Sequence, residues 1–409
     1  MKATLPSVAL SSEATSIDKG APESDWPRVV RRRSFLHTLG AAAAILPRSA
    51  LAAAERDRDD RPLSSGDAAI LRLLAAAEII EADLWQQYAE LGGVTNGPQN
   101  NYQLALQFLD GDASQYITSN TLDEVSHAAF INAYLESNGE EPVNLDRFRN
   151  LPSSRATGAK DIGRLTNIMN LNVDTSWYIR DRSVNNPDFG AQFQQALQIV
   201  NRPGIPITDA DFEDSDHIQV IANTAAFHFG FIEQTGSSLY PTLSQKVSNL
   251  EVLKIALSIG GDEIRHFGEW MDFAGNAVQG PPFSFANSQT PVTDNGLTFP
   301  DFNTSPGGPL FKTNLIFPVP CEFISADLPL CAVIRPTSQG QIDARGAIQG
   351  AIDDGLFIGQ PKEFSRLLLR MADEADGARR QLYGKKYAAL CKVMEPRQPE
   401  ATRSRRSQA

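Results

Sequence analysis

The chain has 409 residues, 42% of them hydrophobic and 21% charged, with a formal net charge of -12. That balance excludes wholesale disorder and a polytopic membrane protein, and its acidity argues against a nucleic-acid binder, which needs a basic face. Three cysteines are too few for a disulfide-built scaffold or a zinc site of four thiolates.

Residues 31–36 read Arg-Arg-Arg-Ser-Phe-Leu, followed by a mildly apolar stretch to Leu46 and by Pro47-Arg48-Ser49-Ala50-Leu51-Ala52-Ala53-Ala54. A charged segment, a short apolar run and small residues suited to signal peptidase read as an export signal over residues 1–54. Arg32-Arg33-Ser34-Phe35-Leu36 resembles the twin-arginine signal. That resemblance implies passage through the twin-arginine translocase, already folded, to a periplasmic or secreted location. No stable membrane anchor is expected after cleavage, because the apolar run is about a dozen residues against the ~20 of a spanning helix. Removing the signal takes away seven basic and four acidic side chains, leaving 30 and 45, a net charge of -15. Residues 55–66 read as a linker.

Four helical segments follow. The first begins after Ser64-Ser65-Gly66 with Asp67 in its first turn, is rich in alanine and leucine, and stops at Gly92-Gly93. The second spans about Tyr116 to Glu136, with Gly139 beyond it. The third runs from about Asp216 to Leu239 and is closed by Pro241; the fourth covers about Leu243 to Phe273 and ends near Gly275. Some eighty residues separate the second and third, with short helices expected at 159–170 and 188–200. A connection that long lets the helices it joins run parallel, so residues 67–275 read as an all-α four-helix bundle with a long crossover.

Chemistry-bearing residues recur at matching points of these segments. The second contains Asp123-Glu124-Val125-Ser126-His127 and the fourth Asp262-Glu263-Ile264-Arg265-His266. A carboxylate and an imidazole three residues apart share one helix face and can bind the same metal or adjacent ones. In the first and third segments, Glu81 precedes Tyr88 and Glu233 precedes Tyr240 by the same seven residues. The order is therefore Glu, Glu-x-x-His, crossover, Glu, Glu-x-x-His. Four glutamates and two histidines around one bundle axis are the ligand set of a dinuclear carboxylate site, suited to iron(II) or manganese.

Over residues 67–275 the chain resembles the ferritin-like di-iron carboxylate superfamily, and more narrowly the exported ferritin-like proteins of bacteria and the related desiccation- and stress-associated proteins. The resemblance implies two iron or manganese ions, with Glu81 and Glu233 as terminal ligands, Glu124 and Glu263 bridging, and His127 and His266 each capping one metal. It implies further that Asp123 and Asp262 hydrogen-bond the histidine of the opposite motif and fix its tautomer. The long crossover and the 130-residue tail depart from a compact storage ferritin.

Other residues have competing readings. Glu78, one turn before Glu81, is a further candidate ligand. His228 reads as a satisfied core histidine, and His217 as part of a carboxylate-rich helix start. Tyr88 and Tyr240 are either redox-active or hydrogen-bonding groups near the metals, or ordinary bundle packing. Residues 276–409 read as a Pro/Gly-rich, partly β extension with a helix at about 361–392 and a disordered basic end. Cys321 and Cys331 could pair in an oxidising compartment, leaving Cys391 over. Two carboxylate-bridged metals can together take two electrons, which fits an exported oxidoreductase using dioxygen or peroxide; sequestration of metal without turnover, or an envelope interaction role, are the alternatives.

Overall fold

Caps and apolar periodicity set the four long helices of the computed structural model. It describes residues 63–95, 97–181, 193–277, 292–300, 318–319, 325, 327–333 and 343–381. The expected export signal, most of the expected linker, Cys321, Cys391 and the expected basic end lie outside the described residues. Helix α1 (Ser65–Gly92) starts where the Ser64 hydroxyl accepts the Asp67 N–H. A short α2 (Asn101–Leu109) leads to α3 (Ala113–Ser137). After the crossover, α5 (Ser215–Ser244) is capped by Asp214 and α6 (Leu250–Gly275) by Asn249, each side chain accepting two N–H groups of the first turn.

Contacts between side chains give the helix directions. Glu78 faces His127 and the Trp85 carbonyl faces Thr121, so α1 and α3 are antiparallel. Asn120 reaches Trp270 and Tyr134 reaches Glu251, so α3 and α6 are antiparallel too. Residues 245–249 turn α5 back into α6. Consequently α3 and α5 run parallel, which the connection of residues 138–214 makes possible. The core between them is closely packed, with Trp85 stacked on Phe229 and on Trp270 at centroid distances of 4.7 and 5.3 Å.

The crossover differs from the sequence expectation. Residues 159–170 form no helix, and residues 193–198 lead into a strand. Buried Asp83 of α1 explains the first difference. Its Oδ2 accepts the backbone N–H groups of Leu165 and Thr166 at 3.0 Å, donors that a helix there would have used internally, and its Oδ1 pairs with Arg149 at 2.7 Å. The crossover instead carries β1 (Leu171–Val173), α4 (Ser176–Arg180) and β2 (Ile199–Arg202), the two strands pairing antiparallel. Trp177 of α4 seats against Gly230 of α5, where an added Cβ would lie 2.2 Å from the indole. Helix α5 also continues past Pro241 to Ser244; so near the end of a helix, the missing N–H costs one bond.

The C-terminal extension is partly β, as expected. Strands β3 (Thr293–Asp294) and β4 (Leu297–Thr298) form a hairpin whose turn, Asn295-Gly296, has both φ angles positive, the geometry a two-residue hairpin favours. Strands β5 (Pro318–Val319) and β6 (Cys331–Ala332) pair antiparallel, with Cys331 a free, exposed thiol. Helices α7 (Ala344–Asp353) and α8 (Lys362–Gly377) follow. The terminal helix stops at Gly377 rather than running on to 392, and of that remainder only residues 378–381 are described. Its apolar stripe, Phe364, Leu368, Ala372 and Ala375, is fully buried, and α8 lies along α1. No helix among the described residues is long and apolar enough to cross a membrane.

His217, at the start of α5, clamps the hairpin to the crossover: Nδ1 lies 2.9 Å from Asp294 Oδ2 and Nε2 lies 3.1 Å from Asp211 Oδ1. Partial burial opposes the charged ring, but the two carboxylates outweigh it and raise the pKa above the ordinary histidine value. A raised folded-state pKa gives stability that is complete below the unfolded value of about 6.5 and is lost as pH rises through the folded value. His217→Gln should therefore lower the thermal midpoint more at pH 5.5 than at pH 9, measured by circular dichroism; equal losses would show that the clamp is not ionic.

Candidate metal centre

The middle turns of α1, α3, α5 and α6 bring six side chains together. Two groups of potential ligand atoms each lie within 4.8 Å of one another: Glu78, Glu124, His127 and Glu263, and then Glu124, Glu233, Glu263 and His266. Glu124 and Glu263 are common to both, so the geometry is that of two adjoining positions sharing two carboxylates. All six residues are buried, the four glutamates completely.

Each histidine turns Nδ1 inward. His127 Nδ1 lies 3.2 Å from Glu124, 3.3 Å from Glu78 and 3.5 Å from Glu263. His266 Nδ1 lies 3.0 Å from Glu124 and 3.4 Å from Glu233. The outer nitrogens face aspartates of the opposite motif, His266 Nε2 to Asp123 at 3.2 Å and His127 Nε2 to Asp262 at 3.4 Å. An outer carboxylate of this kind favours the proton on Nε2 and leaves Nδ1 as a donor to metal.

The outermost ligand positions are held crosswise. Trp85 Nε1 donates to Glu233 Oε1 at 3.0 Å, and the Tyr240 hydroxyl donates to Glu78 Oε1. Trp85 stands seven residues after Glu78 and Tyr240 seven after Glu233, so each helix supplies one carboxylate and the donor for the other's. The second oxygen of each, Glu78 Oε2 and Glu233 Oε2, has no hydrogen-bond partner, and neither oxygen of Glu263 has one. Asn120 donates to Glu124 Oε1 at 2.7 Å and Glu233 Oε1 at 3.1 Å, while its own oxygen accepts from Trp270 at 2.7 Å. Gly236 makes room for Glu263: a Cβ there would lie 2.0 Å from Oε2.

Five of the six expected ligands meet in this cluster, and Glu81 does not. Glu78, weighed from sequence only as an extra, stands in its place. The seven-residue match of Glu81 to Tyr88 is one helical turn out of phase with the match the structure uses, Glu78 to Trp85. Tyr88 accordingly lies beyond the cluster, its hydroxyl 2.7 Å from His228 Nδ1. His228 is fully buried, and burial lowers its pKa to about 3, so it is a neutral core histidine. Glu81 remains close to the carboxylates: burial, then the charges of Glu263 and Glu78, hold its pKa well above the usual carboxylate range. Trp85, Asn120, Trp270 and Gly236 escaped sequence reasoning; only Trp85, through its spacing from Glu78, left a signal there.

The electrostatics show what the cluster lacks. Burial pushes Glu124 up to about 8 despite hydrogen bonds with both histidines, with Glu233 and Glu78 adding to the rise. Burial and the neighbouring carboxylates also hold Glu263 well above its ordinary value. For both histidines burial favours the neutral ring, but the surrounding carboxylates dominate and raise the pKa. Such a site takes up protons in the absence of any other positive charge. Buried carboxylate oxygens without hydrogen-bond partners, inward imidazole nitrogens and shared carboxylates fit two divalent ions.

A helical bundle with a buried carboxylate–histidine cluster compatible with a dinuclear metal site is the class this fold and site define. A family model described as the ferritin-like domain matches residues 66–276, more than half of the chain, and the protein belongs to that family. Comparison with curated proteins and with solved structures returns no match.

Glu78→Gln should weaken binding of a divalent metal at least about tenfold, whereas Glu81→Gln should change it much less, in a calorimetric titration of the metal-free protein. The reverse order would return the ligand role to Glu81. Gly236→Ala should likewise weaken metal binding while the helical circular dichroism signal persists, because the new methyl displaces the Glu263 carboxylate.

Proposed function

We propose that the protein is an exported ferritin-like metalloprotein that holds two iron or manganese ions at Glu78, Glu124, His127, Glu233, Glu263 and His266 and uses them to oxidise Fe(II) or to consume peroxide or dioxygen. The observation that carries this reading is the pair of four-residue groups sharing Glu124 and Glu263, with carboxylate oxygens that have no hydrogen-bond partner. Two bound ions of variable valence would supply joint two-electron chemistry.

The chain's own residues prepare that chemistry. Glu124 and Glu263 are common to both positions, and Trp85 and Tyr240 fix which oxygen of Glu233 and Glu78 is left facing a histidine Nδ1. Asp123 and Asp262 set the histidine tautomers. Trp270, Phe229 and the other buried rings keep bulk water from the inner carboxylates. On the outside, Arg265, Glu269, Asp110 and Asp272 line a surface recess of about 470 Å³ that reaches Trp270, an acidic approach for a cation. Export rests on Arg32-Arg33-Ser34-Phe35-Leu36, and loading before translocation suits a site this deeply buried.

Metal analysis of the mature protein should give about two iron or manganese ions per chain. Glu124→Ala/His127→Ala should lose both the metal and any oxygen- or peroxide-dependent Fe(II) oxidation. A metal-free wild type, or a single zinc, would overturn the dinuclear reading; two ions with no oxidation would turn it into sequestration. Because bound metal replaces protons on the histidines and on Glu124, affinity should rise as pH is raised from 6 to about 8. Arg32→Lys/Arg33→Lys should leave the protein in the cytoplasmic fraction of the producing bacterium, and unaltered export would remove the twin-arginine assignment.

A further inference from the structure

We infer that the two halves of the cluster are unequal: the Glu78–His127 half takes the first divalent ion, and the Glu233–His266 half, opposed by Arg265, takes the second. The inference rests on the dinuclear reading proposed above and adds an order of loading to it.

The cluster has an approximate internal two-fold. Adding 155 to residue numbers on α1 gives α5, so that Glu78 maps to Glu233 and Trp85 to Tyr240. Adding 139 on α3 gives α6, so that Asp123, Glu124 and His127 map to Asp262, Glu263 and His266. The correspondence is incomplete, and two of the differences lie beside the histidines: Ser126 corresponds to Arg265, and Ile259 to Asn120.

Both add a donor beside His266. Arg265 donates to Asp123 Oδ2 at 2.7 Å and to Asp262 Oδ1 at 2.8 Å, and the same Nη2 that reaches Asp123 stands 2.9 Å from His266 Nε2. A guanidinium N–H against Nε2 competes with the proton that Nε2 must carry if Nδ1 is to bind metal. It also places a permanent positive charge one ring away from that metal position. His127 Nε2 has the Asp262 carboxylate at 3.4 Å, much as His266 Nε2 has Asp123 at 3.2 Å, but no guanidinium accompanies it among the described residues, and Ser126 turns its hydroxyl away onto the Asp123 carbonyl. Asn120 adds a second donor on the His266 side, its Nδ2 lying 3.3 Å from His266 Nδ1 and 3.1 Å from Glu233 Oε1. Apolar Ile259 makes no such bond on the other side.

The test is a calorimetric titration of the metal-free protein with Mn(II), checked by the electron paramagnetic resonance signal of the free ion. The wild type should bind two ions with affinities separated by about tenfold or more, the usual size of an outer-sphere effect on metal affinity. Arg265→Ser, which copies the other motif, should bring the two affinities together by tightening the second, and Arg265→Gln should do the same. His266→Ala should leave the tighter event, and His127→Ala only the weaker. Two ions of equal affinity in the wild type, a gap unchanged in both Arg265 variants, or loss of the tight event in His266→Ala would each overturn the order while leaving the dinuclear reading intact. A wild type that binds no Mn(II) or Fe(II) would overturn both.

Discussion

Four carboxylates buried in the middle of one helical bundle are the constraint on which the rest of this structure depends. Glu78, Glu124, Glu233 and Glu263 have no solvent exposure, and several of their oxygens have no hydrogen-bond partner. Charge of that sign is costly in an apolar interior unless positive charge meets it. Two histidines cannot neutralise four glutamates, and burial first, then the neighbouring carboxylates, hold the pKa values of Glu124 and Glu263 above the ordinary range. The surrounding packing acquires its meaning from that deficit: indole and phenol donors fix some oxygens, and glycine at 236 leaves space for others.

The crossover has its own place in this arrangement. Only a long connection allows α3 and α5 to run parallel, which puts the two Glu-x-x-His turns opposite each other at the same level. The crossover is then tied back to α1 by Asp83, and α4 is packed onto α5 through Trp177 and Gly230. The α8 stripe and the His217 clamp attach parts of the C-terminal extension to the same framework. The extension is thus partly an outer layer of the bundle in this structure.

The long helices and the Asp-Glu-x-x-His pair were readable from sequence because both are local: helical periodicity and a three-residue spacing need no knowledge of neighbours. Five cluster residues followed from those patterns. Glu78 against Glu81 did not, since the two lie one turn apart and either could face the axis. The choice depends on how far α1 is displaced along α5, which is visible only in the crosswise bonds of Trp85 and Tyr240. The crossover was misread for a related reason, its backbone donors being taken by a carboxylate more than eighty residues away in the chain.

The sequence by itself therefore determined the four long helices of the bundle, the acidic character of the chain and five of the side chains that converge. Those are consequences of periodicity, capping and composition, which act over a few residues at a time. Tertiary structure alone decided that Glu78 completes the cluster, that Asn120, Trp85 and Tyr240 orient its oxygens, and that Arg265 sits against one histidine and not the other. Each of these joins residues on different helices, and helix register is set by the packing of whole faces rather than by any short motif.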